Sequence, residues 1–533
     1  MLYDLGTSQC ETDTDCRLKG GAFKDTVCEA NLCVSPDSGT GGQGQGGEGP
    51  SECATNAECI DKNFGSPYIC RSGSCVALTQ TPECPVVLGA GQDLKNLRSG
   101  DPIVIGAYSY VDPLAPRLSV PTLNYELAID EFNEGTRGGL PGGAGGKLRP
   151  IVAVVCSGTN APDLEVSSEH LYENLRVVAS IASLHTSDLV ATFSAQKASR
   201  GAFFMSPLEA DSTLTSLEDD GLLWHLLASG PDLARGFPPL LAQTERFLDR
   251  SKKLKVAMIE ARTPFLSDMA NALYSSLKWN DKTAVQNERE GLFLRLRTES
   301  SIETASPDTS EALLELLEFE PDVIVAVSSS EFVSLMLDYE AQRDGSKEPP
   351  FYLLSPYLFG RHDVKETVSG LGLREHTLGV NFAAAEDSTL YDAYLSRLMR
   401  ANKAVDFDLS GSENFYDAAY YTLYSIAAAS AGPLTGARVA QGMQRLFGGE
   451  RSYEIGPSDV GELVALLRKE PETRVNLSGT MGPANFDAET GARRGQPSVF
   501  CIDSSGFVQN AMTYDEKTGQ LSGSPPCVPG FAP

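Results

Sequence analysis

The chain has 533 residues, of which 41% are hydrophobic and 21% are charged. This length predicts two to four compact units, and the composition excludes a mainly disordered or fibrous chain. Asp and Glu number 71 against 43 Lys and Arg, and the resulting net charge of −28 repels phosphate backbones, which argues against nucleic acid as a partner. No apolar run approaches the roughly 18 residues of a membrane-spanning helix.

Nine of the twelve cysteines fall in the first 84 residues, and eight of these form two similar sets. The first set is Cys10, Cys16, Cys28 and Cys33, and the second set is Cys53, Cys59, Cys70 and Cys75. Each unit is too small to bury a stabilising core, so we expect two disulfides in each, with three pairings left open. Zinc is the alternative, but structural zinc sites favour closely spaced C-x2-4-C pairs and often His, whereas the other spacings here are wider and neither set contains a histidine. We therefore predict no metal.

The two cysteine sets define small repeats at residues 1–35 and 53–84, joined by a Gly/Gln/Ser-rich linker at 36–52 that should act as a flexible tether. Clustered cysteines suit an oxidising compartment, so we expect a periplasmic or cell-surface protein, with lipid anchoring left open. Met1 is followed by neither a basic start nor an apolar stretch. We expect a secretion signal that is trimmed from this sequence or that precedes it.

From about residue 102, short apolar runs alternate with amphipathic stretches, which is typical of βαβ units and a parallel sheet. Strands are predicted at 102–108, 150–156, 177–183, 202–207, 254–260, 292–297, 322–328, 351–355 and 378–382. Helices are predicted at 120–134, 265–278 and 309–320. Roughly 400 residues of this pattern exceed one doubly wound sheet, so two α/β lobes are expected.

Catalytic chemistry has little support in the sequence. There is no G-x-S-x-G, H-E-x-x-H or C-x-x-C motif, and the five histidines are scattered along the chain. We therefore predict that the protein is not an enzyme and uses no cofactor.

Several segments occur in an order that is informative although each segment alone is unspecific. They are PIVIGAYSYVD with NYELAIDEFNEG, FMSP before LEADSTLT, KVAMIEARTPFLSDMANAL, PDVIVAVSSSEFVSLM, NFYDAAYYTLYSIAAA and GTMGPANFDAETGARRGQPSVFCID. Over residues 102–515 this order resembles the type I periplasmic binding proteins, specifically the branched-chain-amino-acid-like solute receptors of ABC importers.

The resemblance implies an α/β fold of two Rossmann-like lobes, joined by a three-crossing hinge near Ala228, Ala384 and Asn476 and preceded here by the disulfide-rich repeats. The implied segments are 102–227 with 384–475 for the first lobe, 228–383 with 476–515 for the second lobe, and 516–533 for a C-terminal tail. In such a fold a solute between the lobes stabilises the closed state.

The resemblance also implies six ligand-binding positions, namely Ser187, Leu208, Ala210, Phe265, Ser329 and Tyr357. Ser187 lies where the family uses a hydroxyl to hold a carboxylate, and Phe265 lies at the aromatic position that packs over the ligand. Tyr357 falls where amino-acid receptors often place an acid for the α-ammonium. Since an unpaired ammonium is costly to bury, a carboxylate, amide, aromatic acid or other small solute becomes as plausible as a branched-chain amino acid.

Structural interpretations of these residues stay open. Ser187 and Ser329 could serve as helix caps, and Phe265 could be ordinary core. Four cysteines lie outside the repeats, and some relatives carry a bonded cysteine in the first lobe. Because the number of remaining cysteines is even, all four can pair, and this favours the pairs Cys84–Cys156 and Cys501–Cys527.

The expected function is that of an extracytoplasmic, monomeric receptor that captures a small organic ligand and delivers it to the membrane subunits of an ABC importer. The alternative is a binding module of the same fold used for sensing or surface attachment, which the Cys-rich front end favours. An enzyme on α/β lobes is a third class, without a site to support it.

Overall fold

The structure, a computed structural model, describes residue 14 and residues 27–29, 32–34, 51–111, 115–158, 160–208, 210–248, 252–300, 307–382, 388–402, 412–429 and 432–531. The chain divides into two units, Met1–Glu52 and Cys53–Pro533. In the first unit, strands β1 (Val27–Glu29) and β2 (Leu32–Val34) form an antiparallel hairpin. The predicted pairing of Cys10, Cys16, Cys28 and Cys33 and most of the Gly-rich linker lie outside what the structure describes.

The second unit is built from strands and helices in alternation. Its strands are β3 (Tyr68–Arg71), β4 (Ser74–Ala77), β5 (Val86–Leu88), β6 (Ile103–Ser109), β7 (Ile151–Ser157), β8 (Ala179–Ala182), β9 (Phe203–Ser206), β10 (Leu223–His225), β11 (Val256–Ala261), β12 (Lys278–Trp279), β13 (Lys282–Thr283), β14 (Phe293–Thr298), β15 (Val323–Val327), β16 (Phe351–Leu354), β17 (Thr377–Phe382), β18 (Arg451–Glu454), β19 (Val475–Gly479), β20 (Gly482–Pro483), β21 (Pro497–Ile502), β22 (Phe507–Asp515) and β23 (Gln520–Ser522).

Its helices are α1 (Asn56–Lys62), α2 (Lys95–Ser99), α3 (Val120–Gly135), α4 (Ala161–Ser168), α5 (Thr186–Arg200), α6 (Ser212–Thr215), α7 (Gly230–Ala234), α8 (Phe237–Phe247), α9 (Pro264–Ser276), α10 (Ala284–Arg289), α11 (Ser310–Phe319), α12 (Glu331–Gln342), α13 (His362–Gly370), α14 (Ser388–Ala401), α15 (Glu413–Ala429), α16 (Gly436–Met443) and α17 (Val460–Lys469). In the described part of the chain, no helix combines the length and apolar character needed to cross a bilayer.

The first lobe contains a six-stranded sheet in the order β10-β9-β8-β6-β7-β5, in which β6 to β10 are parallel and β5 is antiparallel. Every residue of β6 and β7 is buried, as expected for strands covered on both faces. The sheet begins at Val86 rather than near residue 102, because β5 pairs with β7.

The second lobe contains an eight-stranded sheet in the order β14-β11-β15-β16-β17-β21-β22-β23. The strands from β11 to β17 in this sheet are parallel, and β21 to β23 continue it as antiparallel strands. Residues beyond 515 were expected to form a separate tail. Instead β23 pairs with β22, and the Cys501–Cys527 disulfide joins the following segment to β21, so this stretch belongs to the second lobe.

Local capping residues explain where the long helices begin. Ser119 accepts a hydrogen bond from the Thr122 amide at the start of α3, and Thr263 does the same for the Leu266 amide at the start of α9. Both helices also have proline in the first turn, where a missing N–H costs nothing. The three helices predicted from periodicity correspond to α3, α9 and α11 within two residues at each end.

The chain crosses between the lobes three times. It leaves the first sheet after β10 to enter α7, returns between β17 and α14, and leaves again between β20 and β21. The third crossing was expected near Asn476, but Asn476 lies inside β19, which pairs with β18 and packs in the core of the first lobe. The crossing therefore follows Pro483, and Ala384 lies outside the described residues.

The second cysteine repeat packs against the first lobe, although it was expected to be a separate module. Its disulfides are Cys53–Cys70 and Cys59–Cys75. Ile60, Ile69 and Leu78 belong to the same hydrophobic core as the strands of the first lobe. The His170 ring also lies 2.9 Å from the Leu78 carbonyl oxygen. Disulfides therefore hold this segment together, and apolar contacts attach it to the first lobe.

Two further disulfides, Cys84–Cys156 and Cys501–Cys527, are the pairs that were expected. The three sulfurs of Cys53, Cys59 and Cys75 lie within 4.8 Å of one another, which is a spacing that a metal could use. All three sulfurs are bonded in disulfides, so they offer no thiolate to an ion.

Removing the Cys84–Cys156 disulfide should destabilise the protein more than removing Cys501–Cys527. The first bond spans 72 residues and the second spans 26, and closure of the longer loop restricts the unfolded chain more. The loop-closure difference is about 1 kcal/mol. Urea unfolding of the C84A/C156A and C501A/C527A double variants measures it, and equal or reversed losses would contradict this account.

Candidate functional site

All six candidate ligand residues lie at the carboxyl ends of parallel strands. Ser187 follows β8, Leu208 and Ala210 follow β9, Phe265 follows β11, Ser329 follows β15, and Tyr357 follows β16. In open α/β sheets this edge carries the helix N-termini and is the usual binding edge. Both lobes therefore present their candidate residues at the same kind of edge.

A direct contact shows that the two edges meet. In the first lobe, the backbone N–H of Ser212 at the start of α6 donates to Oδ2 of Asp268 on α9 of the second lobe, at 2.6 Å. The Ser212 hydroxyl donates to Oδ1 of the same carboxylate at 3.0 Å. We call this pair the interlobe bridge. It joins the segment after β9 to the helix after β11.

On the first lobe, Ser187 is exposed in the first turn of α5, and the N-cap position of that helix is His185. The buried Thr186 hydroxyl donates to Asp211, which also accepts the amides of Thr213 and Leu214. These contacts fix the loop after β9 against the start of α5. Ser187 is therefore not the cap of its helix.

The other two candidates of the first lobe differ in exposure. Ala210 is completely buried, and Leu208 is half-buried. Ala210 can therefore offer only backbone groups to a ligand, in keeping with its lack of a hydroxyl.

On the second lobe, the rings of Phe265 and Tyr357 pack edge to face with centroids 5.5 Å apart. Phe265 is only 2% exposed and belongs to the hydrophobic core of that lobe, whereas Tyr357 is half-buried at its border. Phe265 therefore acts chiefly as packing for Tyr357, and Tyr357 is the more accessible of the two rings.

Ser329 belongs to a buried network that sequence reasoning did not foresee. Its hydroxyl donates to Oε2 of Glu331 at 2.5 Å, and its backbone N–H donates to Oε1 at 2.8 Å. The Ser328 hydroxyl donates to the same carboxylate. Since the Ser329 proton is committed to Glu331, the Ser329 oxygen acts as an acceptor, and the Ser300 hydroxyl lies 3.5 Å from it.

A second acidic residue at this edge, Glu413, was also missed by the sequence reasoning. Glu413 is the first residue of α15 and is 9% exposed, and its Oε2 atom has no hydrogen-bond partner among the residues described. Burial, with the nearby charge of Asp417 in addition, raises the pKa of Glu413 to about 7. The next residue, Asn414, donates to the Pro207 carbonyl oxygen at 3.0 Å, just before Leu208.

Asp417, one turn further along α15, holds the segment that leads into the third crossing. Its carboxylate accepts the Thr480 amide at 3.0 Å, the Thr480 hydroxyl at 2.6 Å and the Met481 amide at 3.1 Å. Burial raises the pKa of Asp417 to about 6 in spite of these donors. No Cβ would fit at Gly479, since it would lie 2.1 Å from the Asp417 carboxylate.

A cavity of about 800 Å³ lies beside the hinge. Its walls include Thr215 from the first lobe, Asp232 and Arg235 from the second lobe, and residues of the third crossing such as Asp487 and Arg494. Its charged groups pair with one another, as in Arg235–Asp232 and Arg494–Asp487. None of the six candidate ligand residues is among its lining residues.

No family model and no curated protein matches the sequence. Solved structures do resemble it. A possible leucine/isoleucine/valine-binding protein from Rhodopirellula baltica SH 1 has 10% identity and a TM-score of 0.54, over 77% of this chain and 96% of that chain. The branched-chain amino acid transporter substrate-binding protein LivJ from Streptococcus pneumoniae, solved with isoleucine, has 13% identity and a TM-score of 0.52, over 76% and 97%.

A putative branched-chain amino acid ABC transporter protein from Silicibacter pomeroyi has 16% identity and a TM-score of 0.52, and the similarity covers 80% of this chain and all of that chain. The similarity to all three extends over nearly their full length, while identity stays low, so it is a similarity of fold. Two sheets with parallel central strands, three crossings and facing carboxyl edges agree with it. The chain has the two-lobed fold of the type I periplasmic binding proteins, with a Cys-rich N-terminal extension.

Proposed function

We propose that the protein is an extracytoplasmic, monomeric solute-binding protein that holds one small organic molecule between its lobes and delivers it to the membrane subunits of an ABC importer. The observation that carries this proposal is the interlobe bridge, because it shows that the edges bearing the candidate ligand residues face each other. A molecule that touches both edges would stabilise the closed arrangement of the lobes. The closed arrangement would then distinguish the ligand-bound protein from the ligand-free one.

The proposed ligand class is an amino acid, an amide or a carboxylate. The structure of LivJ with isoleucine supports an amino acid, because that protein shares this fold. In the proposed site, Ser187 and the backbone after β9 serve one lobe, while Ser329 and Tyr357 serve the other. The four disulfides between described cysteines support an oxidising compartment outside the cytoplasm.

A sensing or surface-binding role is the second candidate, and one observation favours it. Phe64 is 99% exposed at the turn after α1, within the disulfide-bonded repeat that packs on the first lobe. An exposed aromatic ring on a disulfide-bonded module is available for contact with another macromolecule, since aromatic side chains are enriched where proteins meet. Reconstitution with importer membrane subunits distinguishes the roles, since only the transport role predicts ligand-dependent ATP hydrolysis.

A ligand of the proposed class should raise the melting temperature of the purified protein. At 100 times the Kd, binding to the native state alone adds about 2.7 kcal/mol of stability. A thermal-shift screen over amino acids, amides and carboxylates, followed by calorimetry of the hits, measures this effect. A panel without a single stabilising compound would contradict the proposal.

Ser329→Ala should weaken binding of whichever ligand the screen identifies. The substitution removes one acceptor and loosens Glu331, and the loss of one hydrogen bond of about 1 kcal/mol corresponds to a roughly fivefold increase in Kd. Ser275→Ala on the exposed face of α9 is the matched control, because its hydroxyl bonds only within its own helix, to the Asn271 carbonyl. Equal affinities of the two variants would contradict a role for Ser329 in ligand binding.

Asp268→Ala should open the ligand-free protein. It removes both hydrogen bonds of the interlobe bridge. We expect a larger radius of gyration by small-angle scattering, with the compact value restored by saturating ligand. Asp338→Ala, at an exposed position of α12, removes the same charge from the same lobe and should leave the scattering unchanged. An unchanged curve for Asp268→Ala would show that the bridge does not hold the lobes.

A further inference from the structure

Among the acidic residues that the structure describes as buried, Glu413 has an oxygen without a donor, a feature it shares with one oxygen of the half-buried Glu83. Glu131 accepts hydrogen bonds from Arg397, Tyr416 and Tyr420. Asp417 and Glu331 each accept three donors as well. Oε2 of Glu413 accepts none from the residues that the structure describes. A buried carboxylate lacking a donor is disfavoured unless it is protonated or receives a partner.

The position of Glu413 places this oxygen at the binding edge of the first lobe. Asn414 is bonded to the Pro207 carbonyl, immediately before the candidate residues of the loop after β9. On the other side, the Ser412 hydroxyl is bonded to Asn124 of α3 and lies 3.0 Å from the Tyr394 hydroxyl of α14. Both neighbours of Glu413 are thus fixed to the lobe, and α15, a helix of 17 residues, begins at the carboxyl edge of the sheet.

We propose that Glu413 is a ligand-binding residue that receives the protonated amine of the solute. This inference rests on the proposed function and adds a chemical class to it, namely solutes with an ammonium group. A carboxylate accepts hydrogen bonds only, and an ammonium group supplies both the donors and the opposite charge that Oε2 lacks.

The second lobe does not supply this charge at the expected position. Tyr357 stands where an acid for the ammonium was expected, and both oxygens of Glu331 already accept protein donors. The first lobe, through Glu413, takes over that role. A solute bearing a carboxylate but no amine would bring a second negative charge to the ionised Glu413 and supply no donor to it.

Binding of an amine should then depend on pH. The charged or ionisable groups that act on Glu413 are Asp417, on the same helix, and Tyr394, on α14. The raised pKa of about 7 means that Glu413 gives up its proton only near neutrality. An ammonium requires the ionised carboxylate, so affinity should rise between pH 6 and pH 8, and binding near pH 7 should release protons.

The test pairs each amine with an amine-free counterpart. Calorimetry measures the affinities at pH 6, 7 and 8. The amines are leucine, phenylalanine, glutamine and leucinamide. The amine-free counterparts of the first three are 4-methylpentanoate, 3-phenylpropanoate and glutaramate. We expect at least one amine to bind at least tenfold more tightly than its counterpart, with affinity increasing with pH. Counterparts that bind as tightly as the amines would overturn this inference while leaving the proposed function intact, whereas failure of every compound would contradict both.

Variants locate the effect at Glu413. Glu413→Gln keeps the shape of the side chain and should weaken amine binding at least tenfold and remove its pH dependence. Glu413→Asp keeps the charge and should recover part of the affinity together with the pH dependence. Glu311→Gln, at an exposed first-turn position of α11, removes one charge as a control and should bind like the parent protein.

Circular dichroism and urea unfolding establish that each variant is folded. Were Glu413→Gln unfolded, the comparison would rest on Glu413→Asp against the parent protein. Unchanged amine affinity and an unchanged pH profile in the folded Glu413→Gln protein would show that the carboxyl is purely structural.

Discussion

Both large sheets are covered on their two faces, and this constraint decides where polar chemistry can occur in the molecule. Strands β6, β7, β11, β15 and β16 are buried at every position, so their side chains pack or, like Glu260 on β11, bond to other protein groups. The polar groups that can reach a solute therefore lie in the segments that follow the strands, where helix N–H groups are also exposed. Because these strands run parallel, those segments gather at one edge of each sheet, and the bridge between Ser212 and Asp268 brings the two edges together.

The fold was predictable because its signal is repeated along the chain. Each covered strand is a short apolar run, and each helix has an amphipathic period, so the nine strands and three helices predicted from sequence all correspond to elements of the structure. The errors occur where pairing, rather than local pattern, decides. Strand β5 is three residues long and is stabilised by β7, and β19 owes its place to β18, so neither could be assigned from its own residues.

The candidate site was predictable as a set of positions but not as a set of contacts. Ser187, Ser329 and Tyr357 follow strands, and the strand pattern alone places them at the edge. The partner of Ser329, in contrast, is decided by how the start of α12 turns its Glu331 side chain back onto the preceding serines. The contact of Phe265 could not be predicted from sequence either, because only tertiary packing brings its ring against Tyr357.

The buried carboxylates around α15 differ in how far protein donors satisfy them. Around Glu131, one guanidinium and two phenols supply the donors, and the resulting network ties α3, α14 and α15 together. Asp417 similarly ties α15 to the turn before the third crossing. In both cases every donor comes from the protein, so the charge stabilises one arrangement of helices and has nothing left to offer a solute. Glu413 lies on the same helix, at its edge-facing end, with an oxygen that accepts no donor from the described part of the chain. Along α15, therefore, the carboxylate of Asp417 is filled by protein donors, whereas Glu413, one turn closer to the binding edge, keeps an acceptor that no described residue fills.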